Sequence, residues 1–320
     1  MPNGFELVPS DIATSVDRFG GFFLPFALAL ATALVVWIAQ TAAAYWAYRR
    51  VIYPEIRRNP LANYLIGWVA IATHEFGHAI VAAATGSKVE EVEITTTRGH
   101  VKSVTEVSLL GWLSLALSSL APTFLPPLLF LAAFHYAFPD ALELNWMTFE
   151  DIANAHASNI VAISSSLADL TNPLALALLY FLIVLAPTAG PSAGDVRNVL
   201  EHMVRRPFAL LVLLIVLAAL FYTFEALNFP LTNPIIWALT LSFLVVLLGL
   251  ALATALALYL REARSMPGWG VAASLLAFAL PYAAARLGLI PDFAEPPRAL
   301  ALAVLVEVLV LLILPRGKGL

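Results

Sequence analysis

Residues 61–86 read LANYLIGWVAIATHEFGHAIVAAATG. The only Asp, Glu, Lys, Arg or His residues in this run are His74, Glu75 and His78. The run exceeds the ~20 apolar residues that cross a bilayer's hydrocarbon core, so it reads as a membrane-spanning helix. His74 lies roughly 15 Å along that helix from its end, at ~1.5 Å per residue. Ionisable groups at such a depth are costly to keep out of water and mark function by default.

The rest of the chain agrees with a membrane reading. Of its 320 residues, 61% are hydrophobic and 12% charged, and mean hydropathy is +0.87. Soluble domains carry about twice that charge fraction, and a water-soluble globule of this size has too little interior to hide so much apolar surface. The same numbers exclude a disordered chain, a collagen, a coiled coil and a disulfide scaffold. A net charge of −4 offers no basic field, so nucleic acid is excluded as a partner. Cysteine is absent, which removes thiolate metal sites and cysteine nucleophiles.

The expected fold is an all-α polytopic membrane protein of about eight transmembrane helices, with 1–320 forming a single membrane domain. The candidate spans are about 20–47, 61–85, 107–137, 171–187, 207–228, 233–260, 269–290 and 298–315. The third contains Pro122, Pro126 and Pro127, which predict a kink or a break. The fourth is short and is expected to begin earlier, near Asn159. Residues 1–20 are polar and lack a basic n-region, which argues against a cleaved signal peptide. Residues 88–105, KVEEVEITTTRGHVKSVT, alternate β-formers around Arg98-Gly99 and predict a β-hairpin. Residues 138–156 hold Asp140, Glu143, Glu150 and Asp151 and predict an acidic loop or surface helix. With both termini inside, eleven Lys and Arg fall on the inner side and six outside. This places both termini in the cytoplasm of a prokaryotic cell membrane, although Arg49, Arg50, Arg57 and Arg58 argue the other way.

Within the deciding run, His74-Glu75-Phe76-Gly77-His78 puts two imidazoles at i and i+4, on one helical face, where both can bind one metal ion. Neutral imidazole suits zinc, and Glu75 is placed to take a proton from an attacking water. A polar cluster that merely glues helices together would not require two His and a Glu in this order. Gly77 and Ala79, beside the second imidazole, would allow a neighbouring helix to approach closely.

The run His74 to Gly86 fits the pattern HExxHxxxAxxxG, and here the chain resembles the site-2-protease-type intramembrane zinc metalloproteases. The resemblance covers about residues 61–203, a metalloprotease core, and leaves the first span and the additional helices of 207–315 outside. It implies Zn2+ held by His74 and His78, and Glu75 as general base. It also implies that the β-hairpin after the motif is short and membrane-associated, and that a third ligand, an Asp, lies two spans later. The activity implied is hydrolysis of peptide bonds in transmembrane protein substrates within the lipid bilayer.

Asp195, in LIVLAPTAGPSAGDVRNVL at the end of span four, is the leading third ligand. Pro187, Gly190, Pro191 and Gly194 precede it and open the helix where a cavity must form. Spans two and four end on the same membrane side, which brings the two motifs together. The family's usual Asn-x-x-Pro before the Asp and Gly after it are missing, and Val196 follows. Asp195 is alternatively a helix cap near Arg197. Glu201 and Glu225 are rival ligands, and a Glu in that role would look more like CAAX-processing or heat-shock membrane metalloproteases. A transporter using the His/Glu cluster for ions or protons is the reading from another class, and no inverted repeat supports it. Ser192 and Asn198 are candidate donors to a developing oxyanion. His100, His135, His156 and His202 read as loop, interfacial or solvent-facing residues. Glu307, within an apolar run, needs a partner in the bundle.

Overall fold

The computed structural model describes residues 9–96, 98–104, 108–227 and 231–314. Helix α1 (Pro9–Ala47) continues through a π-helical turn (Tyr48–Ile52) into α2 (Tyr53–Arg58). Asn59-Pro60 then turns the chain. The Asn59 side chain accepts from Ala62 N at 3.1 Å and caps α3 (Pro60–Ala62). A second π-helical turn (Asn63–Trp68) leads into α4 (Val69–Ala84). Strands β1 (Lys88–Ile94) and β2 (Gly99–Val104) form the expected hairpin, antiparallel, with an irregularity between Val89 and Glu91.

The remainder is helical: α5 (Leu109–Ala137), α6 (Phe149–Leu167), α7 (Pro173–Leu185), α8 (Ala193–Arg205), α9 (Pro207–Ala226), α10 (Thr232–Arg264), α11 (Gly268–Arg286) and α12 (Pro296–Ile313). Among the described residues, seven helices are long and apolar enough to cross a membrane. An eighth apolar helix, Pro173–Thr188, is shorter. The chain is therefore an integral membrane protein by the length and apolarity of its helices.

Two expectations are corrected. Span four does not begin near Asn159. Residues 168–172 separate α6 from α7, and Asn172 starts α7 afresh by accepting from Leu174 N at 2.9 Å, with Pro173 in the first helical position. Proline there loses no helical hydrogen bond, so it serves as a start signal. Asn159 instead sits fully buried in α6 and exchanges hydrogen bonds with the Glu143 backbone. Span three, expected to be kinked or broken, is one continuous helix, α5, through all three prolines. His156 is not solvent-facing. It is buried, with Nε2 2.6 Å from Thr240 Oγ1, and burial pulls its imidazole pKa below the usual value. The acidic stretch is a loop over 138–148, with Asp140 and Glu143, and then the start of helix α6, capped by a reciprocal exchange in which Asp151 N donates to Thr148 Oγ1 and Thr148 N to Asp151 Oδ2.

Helix α10 is the strut of the molecule. On one side Val246, Leu250, Ala253 and Ala257 pack with Ala44, Ile52, Ile56 and Ala70 from α1, its π-turn, α2 and α4. On the other side Trp237, Leu241 and Val245 pack with Phe130 and Phe134 of α5, Ile163 of α6 and Leu182 of α7. Buried Glu55 joins Arg58 and Arg264, which ties α2 to the end of α10. Helices α11 and α12 pack mainly on each other, around Tyr282, Ala285, Ala299 and Ala303. There Ser274 Oγ donates to Glu307 at 3.1 Å, which supplies the partner Glu307 needs.

Candidate metal centre

Helix α4 presents His74 and His78 on one face, with their Nε2 atoms 3.3 Å apart. Each ring is held from behind. His74 Nδ1 lies 3.1 Å from the carbonyl of Thr188, in the turn after α7. His78 Nδ1 lies 2.7 Å from the carbonyl of Ser118, in α5, whose hydroxyl donates back to the His78 carbonyl at 3.0 Å. A carbonyl only accepts, so each Nδ1 carries a proton, and in the neutral ring each Nε2 is a bare lone pair. Carbonyls behind imidazoles fix tautomer and orientation in metal sites.

Asp195 completes the group. Its Oδ1 is 3.4 Å from His78 Nε2 and its Oδ2 is 3.7 Å from His74 Nε2. It stands in the first turn of α8, where Ser192 N donates to Oδ2 at 2.7 Å and Ser192 Oγ accepts from Asp195 N at 3.2 Å. The carboxylate therefore serves the helix start and reaches the imidazoles at once. Arg197 turns away to Glu201, at 2.6 Å. Burial alone would raise the Asp195 carboxyl, but hydrogen bonds donated by His74 and His78 when their rings are protonated outweigh it and hold the group well below the usual carboxylate range.

The spacing of the two imidazole nitrogens fits a small divalent cation, and one ligand atom from each of His74, His78 and Asp195 lies within 4.8 Å of the others. Metal–ligand bonds of ~2.0–2.1 Å in a tetrahedron set ligand atoms about 3.3–3.4 Å apart. Side-chain exposure is 13% for His74, 10% for His78 and 15% for Asp195. Three converging acceptors at such burial need a cation or added protons between them. His74, His78 and Asp195 thus form a group that can hold a metal ion.

Glu75 faces a cavity of about 490 Å3 together with His74. Tyr45, Tyr48, Arg98, Gly99, Pro187 and Ser192 contribute to its walls. The Glu75 carboxyl rests against the hairpin: a Cβ at Gly99 would stand 2.7 Å from Glu75 Oε1. The hairpin thus roofs the cavity and leaves room for Glu75 only because residue 99 has no side chain.

The other candidates named from the sequence fall elsewhere. Glu201 is held by Arg197 and Arg205. The side chains of Glu225 and His202 lie outside the described residues. Ser192 lines the cavity, whereas Asn198 is exposed on α8 and does not. His100 and His135 are exposed. A Cβ at Gly77 would meet nothing within 4 Å, so this glycine is not needed for close helix approach. The Thr188 and Ser118 carbonyls are not legible in the sequence, because every residue has a carbonyl. Gly99 carries a turn signal but no sign of its contact with Glu75. No family model, curated protein or solved structure matches this chain.

Proposed function

We propose that this protein is an intramembrane zinc metalloprotease of the site-2 type, hydrolysing peptide bonds of transmembrane protein substrates. One observation carries the reading: two bare imidazole Nε2 atoms 3.3 Å apart, each locked from behind by a carbonyl, converge on a half-buried carboxylate. His74, His78 and Asp195 would hold the ion, and the rival Glu201 is already engaged by two arginines. When bound, zinc polarises a scissile carbonyl and makes water a nucleophile near neutral pH.

The chain's own residues supply the rest. Glu75, on the cavity wall, takes a proton from the attacking water and delivers it to the leaving amine, so the peptide C–N bond breaks as a C–O bond forms. The cavity gives water a place beside His74 and Glu75. A transmembrane substrate must first unwind, which frees backbone groups that need partners. The hairpin's unpaired edge can supply them by strand addition. In this reading the protein sits in a prokaryotic cell membrane with both termini cytoplasmic, and its centre opens towards the cytoplasm.

Purified protein is expected to carry stoichiometric zinc that is lost on His78→Ala and diminished on Asp195→Ala. Glu75→Gln is expected to keep zinc and to lower cleavage of a model transmembrane substrate by ~10²–10⁴-fold. Normal cleavage by Glu75→Gln would remove Glu75 as the base. Unchanged zinc in Asp195→Ala would pass the third position to another residue.

A further inference from the structure

Gln40 lies in the apolar run of α1, far from the motif in sequence, and is completely buried. Its Nε2 donates to two carbonyls on different segments: Thr123 of α5 at 2.6 Å and Ala189 at 2.6 Å. Both acceptors have a local reason to need a donor. In a helix the Thr123 carbonyl would be served by the N–H of residue 127, and residue 127 is proline, which has none. Ala189 follows the 3₁₀ turn Ala186–Thr188, where helical hydrogen bonding ends. The amide of Gln40 therefore replaces a bond that Pro127 cannot make and holds the chain where α7 stops.

The same two segments carry the carbonyls behind the metal-binding imidazoles. Thr188, which faces His74, is the neighbour of Ala189. Ser118, which faces His78, is little more than one helical turn before Thr123. The loop also lies close on α1 just beyond Gln40: a Cβ at Gly190 would stand 3.3 Å from Ala44 Cβ and 3.6 Å from Thr41 Cα. Glycine permits this approach, and Gln40 fastens it.

We propose that Gln40 is a positioning residue of the metal centre: through the Thr123 and Ala189 carbonyls it fixes the two backbone segments that orient His74 and His78. The inference rests on the reading of His74, His78 and Asp195 as metal ligands. It assigns part of the centre's geometry to the first span, which lies outside the stretch carrying the motif.

The test uses the full-length protein in detergent and two variants. Gln40→Met keeps the volume and removes the donors, and Gln40→Asn keeps an amide that is one methylene too short. Zinc affinity and the visible spectrum of the cobalt-substituted protein are measured, because a residue that only stabilises the fold leaves both unchanged in folded protein. Each folded variant is expected to bind zinc ~10–100-fold more weakly and to show a displaced cobalt band, with Gln40→Asn the milder. A folded variant with wild-type affinity and spectrum overturns the proposal. Failure of both variants to fold also overturns it, by assigning Gln40 to general stability. If the wild-type protein binds neither zinc nor cobalt, the metal-centre reading itself falls.

Discussion

Glu75 and Gly99 meet at van der Waals range, and this contact makes a sharp prediction. A methyl group at residue 99 would occupy the space of the Glu75 carboxyl, with a Cβ only 2.8 Å from Cδ. Gly99→Ala is expected to displace the Glu75 carboxyl and, with Glu75 as the proposed base, to lower cleavage by about 10²-fold. Zinc content should not change, since the three atoms nearest that Cβ all belong to Glu75 and not to His74, His78 or Asp195. Metal analysis and a cleavage assay on the same preparation check both halves. Gly77→Ala gives the opposite case. Open space surrounds that Cβ position, and alanine is the better helix former by roughly 0.5–1 kcal/mol. This variant should keep zinc and unfold no earlier than wild type in a thermal melt.

The end of α4 shows why the motif closes on glycine. Gly86 has φ of 90°. Its N–H bonds to the Ala83 carbonyl at 3.2 Å, and Ser87 N bonds to the Ala82 carbonyl at 2.9 Å. This paired closure ends a helix with one left-handed residue. The chain then turns directly into β1, while Thr85 and Ser87 both hydrogen-bond to Ser114 of α5. Helix, hairpin and the next span are thus fastened together at the end of the helix that carries His74 and His78. Gly86→Ala forces a Cβ into the left-handed region at a cost of about 1–2 kcal/mol. It should lower the midpoint of denaturant unfolding and weaken the roof that the hairpin forms over Glu75. Helix α7 has its own adaptation. Its 13 residues span only about 20 Å, so its end stops short and delivers Thr188 to His74 inside the bundle.

Two packed bodies share α10, and a helical pair is docked on them from outside. The pair α11–α12 is held by Tyr282, whose hydroxyl donates to the Ala168 carbonyl at 2.8 Å and accepts from Leu170 N at 2.7 Å. Arg286 adds an ion pair to Asp169 at 3.2 Å. The Thr171 hydroxyl is the chief cause of a lowered Asp169 pKa, aided by the Thr171 N–H and by Arg286. A carboxyl whose pKa falls on folding stabilises above its ordinary pKa of about 3.9. That contribution is lost as pH drops below this value towards the folded one. The 168–172 loop should therefore loosen in acid, the smaller Arg286 share of the shift should weaken docking of the pair with it, and Asp169→Asn should remove this pH dependence over that window. Limited proteolysis of the 168–172 loop at pH 6 and pH 3 reads this directly. Arg286→Ala should loosen docking by about 1 kcal/mol at neutral pH and leave zinc content at its wild-type level, because His74, His78 and Asp195 stand on other elements.

Composition and periodicity are enough to establish a helical membrane protein, its hairpin and the helix bearing His74, Glu75 and His78. Those properties follow from the apolar length a bilayer demands and from the i, i+4 geometry of a helix, both of which are local. The start of α7 is hard to read because apolar residues continue on both sides of the break, while its signal lies in Asn172-Pro173. The burial of His156 escapes a sequence reading because it depends on the α10 surface that covers the ring. Asp195 stands out by its place in a broken helix, but only tertiary packing shows its oxygens facing both imidazoles. The carbonyls of Ser118 and Thr188, the space left by Gly99 and the reach of Gln40 have no sequence signature. They are contacts between segments up to 149 residues apart, and such contacts exist only once the helices have packed.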